Sequence, residues 1–397
     1  MIIELIIALI VGVTIGIITG LTPGIHINLV GAILISSLAF FLKITTPNIL
    51  IVFIVSMSIA HTFVDFIPSI FLGAPEEETV LSILPGHKLL KEGFGYEAVY
   101  LTSIGCVIGT IIFIFISIAF IYLLPKIENL IVYLVPFVLT FSLLFILYKE
   151  KNKVLAIIII FLSGFLGLAV LNSSINEPLL PLLSGLFGIS SLIISIKQKT
   201  DISPQIIKKP KINLKKLTKP ILASLLVSPL CGTFPGLGSG QASFIGASIF
   251  NLSKRAFLVL IGIINILILC LSFIVLFSLG KYRTGIAANI SSITQNLTIN
   301  DLILIIFTII VSSIFCFFIT LYITKKFSKI INKINYQKIS FVIICLIIFI
   351  TFLISGLPGL FILIISTTVG IFGVLSNVKR ISLMSCLVIP TILYYLI

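Results

Sequence analysis

The sequence predicts an all-α polytopic membrane protein made of two inverted-topology repeats, each a Pro-Gly-broken hairpin plus about five transmembrane helices. Three observations predict it. The 397 residues are 59% hydrophobic and only 10% charged, with a mean hydropathy of +1.32, whereas soluble domains carry about a quarter charged residues. Apolar runs that approach or exceed the roughly 20 residues needed to cross a bilayer recur along the whole chain. Two of those runs are broken by one pattern, G-x-x-P-G, as Gly20-Leu21-Thr22-Pro23-Gly24 and as Gly232-Thr233-Phe234-Pro235-Gly236.

In chain order, Ile2–Leu42 comes first, interrupted at residues 20–28. The opening residues lack a basic n-region and include Glu4, so they read as a retained membrane segment, not a signal peptide. Crossings follow at Ile49–Leu72, Ala98–Leu124, Leu130–Tyr148, Val154–Leu171 and Leu179–Ile196. The second half opens with Ile221–Phe250, interrupted at residues 232–241. Its crossings are Ala256–Leu279, Leu302–Ile323, Phe341–Ile354, Leu360–Leu375 and Ile381–Ile397. Each broken segment reads either as a pair of half-helices or as two tilted crossings.

Loop charge sets the expected orientation. The stretch Lys197–Pro220 carries eight lysines against the single Asp201, and Lys325–Lys338 carries five lysines and no acid. With the shorter basic loops Lys149–Lys153 and Lys379–Arg380, these mark the cytoplasmic side of the cell membrane by the positive-inside rule. Pro125–Asn129, Asn172–Pro178 and Ser355–Gly359 then fall outside. A hairpin plus an odd number of crossings in each half reverses the orientation of the second half. The expected units are residues 1–196, a basic linker 197–219, and residues 220–397.

Several functional classes are excluded. The net charge of +14 lies in loops whose two longest members hold only Phe327 and Tyr336 as aromatics, which rules against nucleic acid. Cys106, Cys231, Cys270, Cys316, Cys345 and Cys386 lie singly with no C-x-x-C pair, and read as small buried hydrophobes rather than disulfides or a metal site. An intramembrane hydrolase is poorly served: Ser239 lies between glycines, but no histidine follows His87. No cofactor is expected.

The breaks are where chemistry is expected. Open backbone in hydrocarbon is tolerated only inside protein or along a water-filled cavity, and paired Gly/Pro breaks in two halves point to a carrier's binding site. A half-helix starting after each break would aim free N–H groups and a positive dipole end at the midplane, which suits a carboxylate or phosphate. The candidate substrate contacts are Gly20, Thr22, Pro23, Gly24, His26 and Asn28, with Gly232, Pro235, Gly236, Gly238, Ser239, Gly240 and Gln241. The crossing Ile49–Leu72 adds Ser58, His61, Thr62, Asp65 and Ser69 at helical spacing. An acid inside a membrane helix is a functional residue by default, so Ser58, His61 and Asp65 are candidates for coupling to Na+ or H+; the competing reading places Asp65 in water at the interface. Gly73-Ala74-Pro75-Glu76-Glu77-Glu78-Thr79 reads as a cap on a short helix that Pro85-Gly86-His87-Lys88 interrupts.

At these residues the chain resembles the TctA family, the large membrane subunit of tripartite tricarboxylate transporters, in its archaeal branch. The resemblance rests on the two Pro-Gly loops, on Gly73-Ala74-Pro75-Glu76 through Gly95, on Pro181-Leu182-Leu183-Ser184-Gly185-Leu186-Phe187-Gly188, and on Ser366 to Pro390. It implies a secondary active carrier of a small organic anion, di- or tricarboxylate-like, held at a central site and driven by an ion gradient. Bacterial members work with a small membrane subunit and a soluble binding protein. His26 and Asn28 stand where the family commonly has further small residues. The Pro-Gly loops are also similar, more distantly, to those of the polyprenyl-phosphate translocase family, which implies the alternative of a flippase for an anionic lipid carrier.

Overall fold

The computed structural model describes residues 2–22, 30–31, 34–35, 37–72, 83–197, 203–210, 214–233, 238–294, 296–331 and 336–396. Helix is the regular structure throughout them, with no strand among the described residues. Seven of the described helices are long and apolar enough to cross a membrane. Their outward faces carry Phe115, Phe141, Phe165, Phe307 and Phe361, all exposed, as a lipid-facing surface requires. Exposed Tyr122, Tyr133, Tyr148 and Tyr322 lie where aromatic belts form.

Helix α1 (Ile2–Leu21) and α2 (Leu38–Ile44) precede α3 (Pro47–Val64) and α4 (Phe66–Leu72). A glycine ladder seats α1 on α3. Gly12 lies against Phe53 and Ser56, Gly16 against Met57 and Ala60, and Gly20 against His61, Val64 and Asp65. Residues four apart share a helix face, and without Cβ atoms the two backbones approach closely. The two helices therefore run in the same direction. The chain goes in with α1 and starts again at Pro47, so the first hairpin enters and leaves at one end of the bundle.

Next come α5 (Ile83–Lys91) and α6 (Gly95–Tyr148). Pro85-Gly86-His87-Lys88 does not interrupt a helix: Pro85 is in the first turn of α5, where a missing N–H costs nothing. The 54 residues of α6 would span about 81 Å if straight, roughly twice a bilayer. Contacts show that the run folds back near Pro125. Glu97 pairs with Arg255, and Glu128 with Lys281 at 2.7 Å; that hydrogen bond holds the Lys281 ammonium above its ordinary pKa. Phe145 has returned to Phe244, their ring centroids 6.4 Å apart. The expected crossings Ala98–Leu124 and Leu130–Tyr148 are thus the two arms of α6.

After α7 (Lys153–Leu171) come α8 (Leu179–Leu183), a π turn Ser184–Ile189 and α9 (Ser190–Lys197). In the linker, Gln205 accepts from the Gly95 N–H at 2.8 Å and donates to the Leu90 carbonyl at 2.9 Å, fixing it to the α5–α6 turn. Helix α10 (Leu214–Thr233) begins inside the basic stretch, so Lys215, Lys216 and Lys219 ride on its first turns. It continues to α11 (Ser239–Phe250) and α12 (Lys254–Leu279), which Ser253 caps through the Ala256 N–H. Gly246 meets Ala223, Val227 and Leu260, while Gly232 meets Leu271. Helix α10 therefore climbs beside α12 and α11 descends again, so this hairpin enters and leaves at the end where α12 starts.

Helices α13 (Gly285–Ile293), α14 (Ile299–Ile330), α15 (Tyr336–Leu375) and α16 (Ser385–Leu396) complete the chain. Helix α15 reverses at Gly356, whose φ of 65° and ψ of −162° suit only glycine. Its arms return to one level: Gly188 touches Ile347, and nearby Gly185 touches Leu363, Ser366 and Thr367. Phe71 packs on Phe327, the Lys379 backbone N–H donates to Glu150 Oε1 at 2.9 Å, and the Lys379 ammonium lies over Phe244. All four basic stretches consequently gather at the end where α12 begins.

Candidate functional site

The first hairpin stops beside the most polar part of α3. His61 is 2% and Asp65 5% exposed, which overturns the reading of Asp65 as an acid in interfacial water. Gly20 makes this possible, because a methyl there would lie 3.1 Å from the His61 carbonyl and 3.3 Å from the Asp65 nitrogen. Thr19 Oγ1 donates to the Gly16 carbonyl at 3.1 Å and lies 3.0 Å from His61 Nδ1. The Thr19 hydroxyl and the His61 ring thus tie α1 to α3. Ser69 donates to Asp65 Oδ1 at 3.4 Å. The Ser58 hydroxyl is used on the Ile54 carbonyl at 2.7 Å, and Thr62 donates to the Ser58 carbonyl at 2.9 Å. Structure therefore joins His61 and Asp65 to the first hairpin and leaves Ser58 a helix-capped hydroxyl on the same face.

Thr22, at the lip of the loop, donates to the Ile18 carbonyl at 2.8 Å. Pro23, Gly24, His26 and Asn28 lie outside the described residues, as do Pro235 and Gly236. The acidic turn Gly73–Thr79 does too.

At the second break, Gly232 is buried at the top of α10, and Thr233 donates to the Pro229 carbonyl at 2.8 Å. Helix α11 starts at Ser239, directly after the break. Gly238 supplies its N-cap, and the Gly238 N–H is taken by Gln241 Oε1 at 2.5 Å. Ser239, Gly240 and Gln241 are all buried, so the N–H groups of the first turn open into the protein interior. Gln241 Nε2 and Ser243 Oγ have no hydrogen-bond partner among the described residues.

The two hairpins reach past each other in depth, their tips about 8–14 Å apart. Gly20 sits against residues about 21–27 Å along the α3–α4 run, and Gly232 against a residue about 26 Å along α12, at 1.5 Å per residue. Each run, at 26 residues, is about 39 Å long, and the hairpins come from opposite ends.

Sequence reasoning missed Thr19 and Asn265. Thr19 adjoins the first motif and could have been read as part of it. Asn265 is the lone amide in the otherwise apolar α12, 2% exposed. An amide in the centre of an apolar crossing was the available signal. Five of the cysteines are buried as expected, whereas Cys345 is exposed on the lipid-facing side of α15.

Comparison with known proteins fits this arrangement. Residues 6–385 match the tripartite tricarboxylate transporter TctA family. The uncharacterized protein MJ1079 of Methanocaldococcus jannaschii is 33% identical over 392 residues, covering 94% of each chain. No solved structure matches the chain. This multi-pass membrane protein, a transporter component and not an enzyme, belongs to the tripartite tricarboxylate transporter TctA family.

Proposed function

We propose that this protein is a secondary active transporter of a small organic anion, of the di- or tricarboxylate class, which it holds between the two Pro-Gly loops. One observation carries the reading: two interrupted hairpins enter from opposite ends and reach past each other in the bundle interior, the first stopping beside the buried His61 and Asp65. Their opposite entry and the hairpin-plus-five-crossings count support two inverted repeats around that site. The start of α11 offers backbone N–H groups to an anion.

Charge balance supports coupling to Na+ or H+. Neither loop contains Lys or Arg between residues 20–28 or 232–241, while Asp65 is an acid buried against Gly20 at the first. An anion brought next to a carboxylate is expensive in low dielectric, even with the Arg283 guanidinium close enough to act on Cys231 beside the second loop. A sodium ion or proton taken up at Asp65 removes that cost and binds together with the substrate. The gathered basic stretches support a cytoplasmic location for that end in the cell membrane. Family membership supports a small membrane subunit and a soluble binding protein as partners.

A thermal-stability screen of the purified protein tests this. Di- and tricarboxylates are compared, with and without sodium, with a short-chain polyprenyl phosphate. A ligand at about 100 times its Kd adds roughly 2.7 kcal/mol. Stabilisation by a carboxylate, greater in sodium or at lower pH, is expected. Stabilisation by the polyprenyl phosphate alone would replace the carrier with a flippase of lipid-linked phosphate.

A further inference from the structure

The connection after α12 turns back into the bundle. Gly280 ends α12, and Lys281 and Tyr282 are exposed, Lys281 pairing with Glu128. Thr284 then donates to Ser272 Oγ at 2.9 Å and caps α13 by accepting from the Ala287 N–H at 3.3 Å. Ser272 lies about 12 Å back along α12 from Gly280. Its neighbour Leu271 is the residue that faces Gly232 at the second break. Arg283, next to Thr284, is thereby delivered to the level of that break.

From there α13 leads to the other hairpin. It packs on α3 as well as on α12, and Asn289 lies against Gly31, three residues past the first break. Ile286, Ala287, Ile290 and Ile293 form its buried face. The opposite face holds Gly285, Ala288, Asn289 and Ser292, small or polar residues that are not fully buried. Lipid-facing surfaces of this protein carry phenylalanine instead, so this face fronts a polar space. Helix α13 therefore touches both interrupted hairpins.

Arg283 is turned inward at the start of this helix. The residue is half-buried and its Nε is buried completely. The guanidinium is close enough to act on the Cys231 thiol, next to Gly232. A cation inside a membrane protein is expensive and is a functional residue by default. A guanidinium is always charged and offers a planar fork of donors that matches a carboxylate. Asp65 lies at the first tip and Arg283 at the second, so the space between the hairpins has a negative and a positive pole.

We propose that Arg283 is a binding residue for the transported anion: its guanidinium takes a carboxylate of the substrate beside the second Pro-Gly loop, and α13 holds it there. This rests on the anion-carrier reading above.

The chain has three arginines, Arg255, Arg283 and Arg380, so phenylglyoxal, which modifies guanidinium groups, tests this on the unaltered full-length protein. Modification of each arginine is followed by mass spectrometry, with and without citrate or malate at about ten times its Kd. That excess leaves about one site in eleven empty. Arg283 should then react about tenfold more slowly, while Arg255 and Arg380 change little. The variants decide the case independently: Arg283→Gln should raise the Kd of the acid about tenfold or more, and Arg283→Lys by less. An acid that binds yet leaves Arg283 reacting at its free rate would overturn the proposal and leave the anion carrier standing. So would equal slowing at all three arginines, or wild-type affinity in Arg283→Gln. Failure of both acids to bind the wild type would remove the carrier reading itself, and this inference with it.

Discussion

Asp65 shows what one residue can and cannot reveal in a sequence. Its four-residue spacing from His61 is legible, and so is its position within an apolar run. Its burial is not, because that depends on Gly20 of another helix lying against it. The ladder of Gly12, Gly16 and Gly20 was present in the sequence as small residues four apart, but it gains meaning only once α3 is known to be its partner. Thr19 illustrates the same point, since its contact with His61 spans 42 positions. If Asp65 takes up the coupling cation, Asp65→Asn should leave the protein folded and abolish the response of transport to an imposed Na+ or proton gradient. Uptake measured with and without each gradient checks this. Gradient dependence equal to that of the wild type would remove Asp65 from the mechanism.

At the scale of elements, hydropathy located the crossings well because about 20 apolar residues are a physical requirement. Both reversals were legible as short breaks, Pro125–Asn129 in α6 and Ser355–Gly359 in α15, and the helical run continues tightly through the first. A short helix was expected before Pro85, but α5 runs on through it to Lys91, and the π turn Ser184–Ile189 and α13 were not found, since they are too short to impose a period on the sequence. Packing between elements was also hidden. Helix α6 lies so close to α12 that a methyl at Gly105 would come within 3.0 Å of the Ile263 nitrogen, and one at Gly262 would overlap the Thr102 carbonyl. Gly262→Val should therefore destabilise the folded protein by about 1–3 kcal/mol, lowering its melting temperature in detergent. An unchanged melting temperature would contradict the close α6–α12 approach.

For the molecule as a whole, composition was enough to fix the class, and the basic stretches were enough to show that four loops belong together. Their convergence follows from the Phe71–Phe327, Phe145–Phe244 and Lys379–Glu150 contacts. The depth at which each hairpin stops could not be read from sequence, because Leu271 and His61 set it from the facing helices. That depth matters most for the proposed function: it puts both hairpin tips inside the bundle rather than at its ends, as an anion site between the loops requires. The most direct test is uptake of labelled citrate by proteoliposomes under imposed sodium and proton gradients. The wild type is compared with Pro23→Ala/Gly24→Ala and Pro235→Ala/Gly236→Ala, each checked for correct insertion. The account predicts gradient-driven uptake by the wild type and its loss in both loop variants. Wild-type rates in both variants would show that the anion is not held between the Pro-Gly loops.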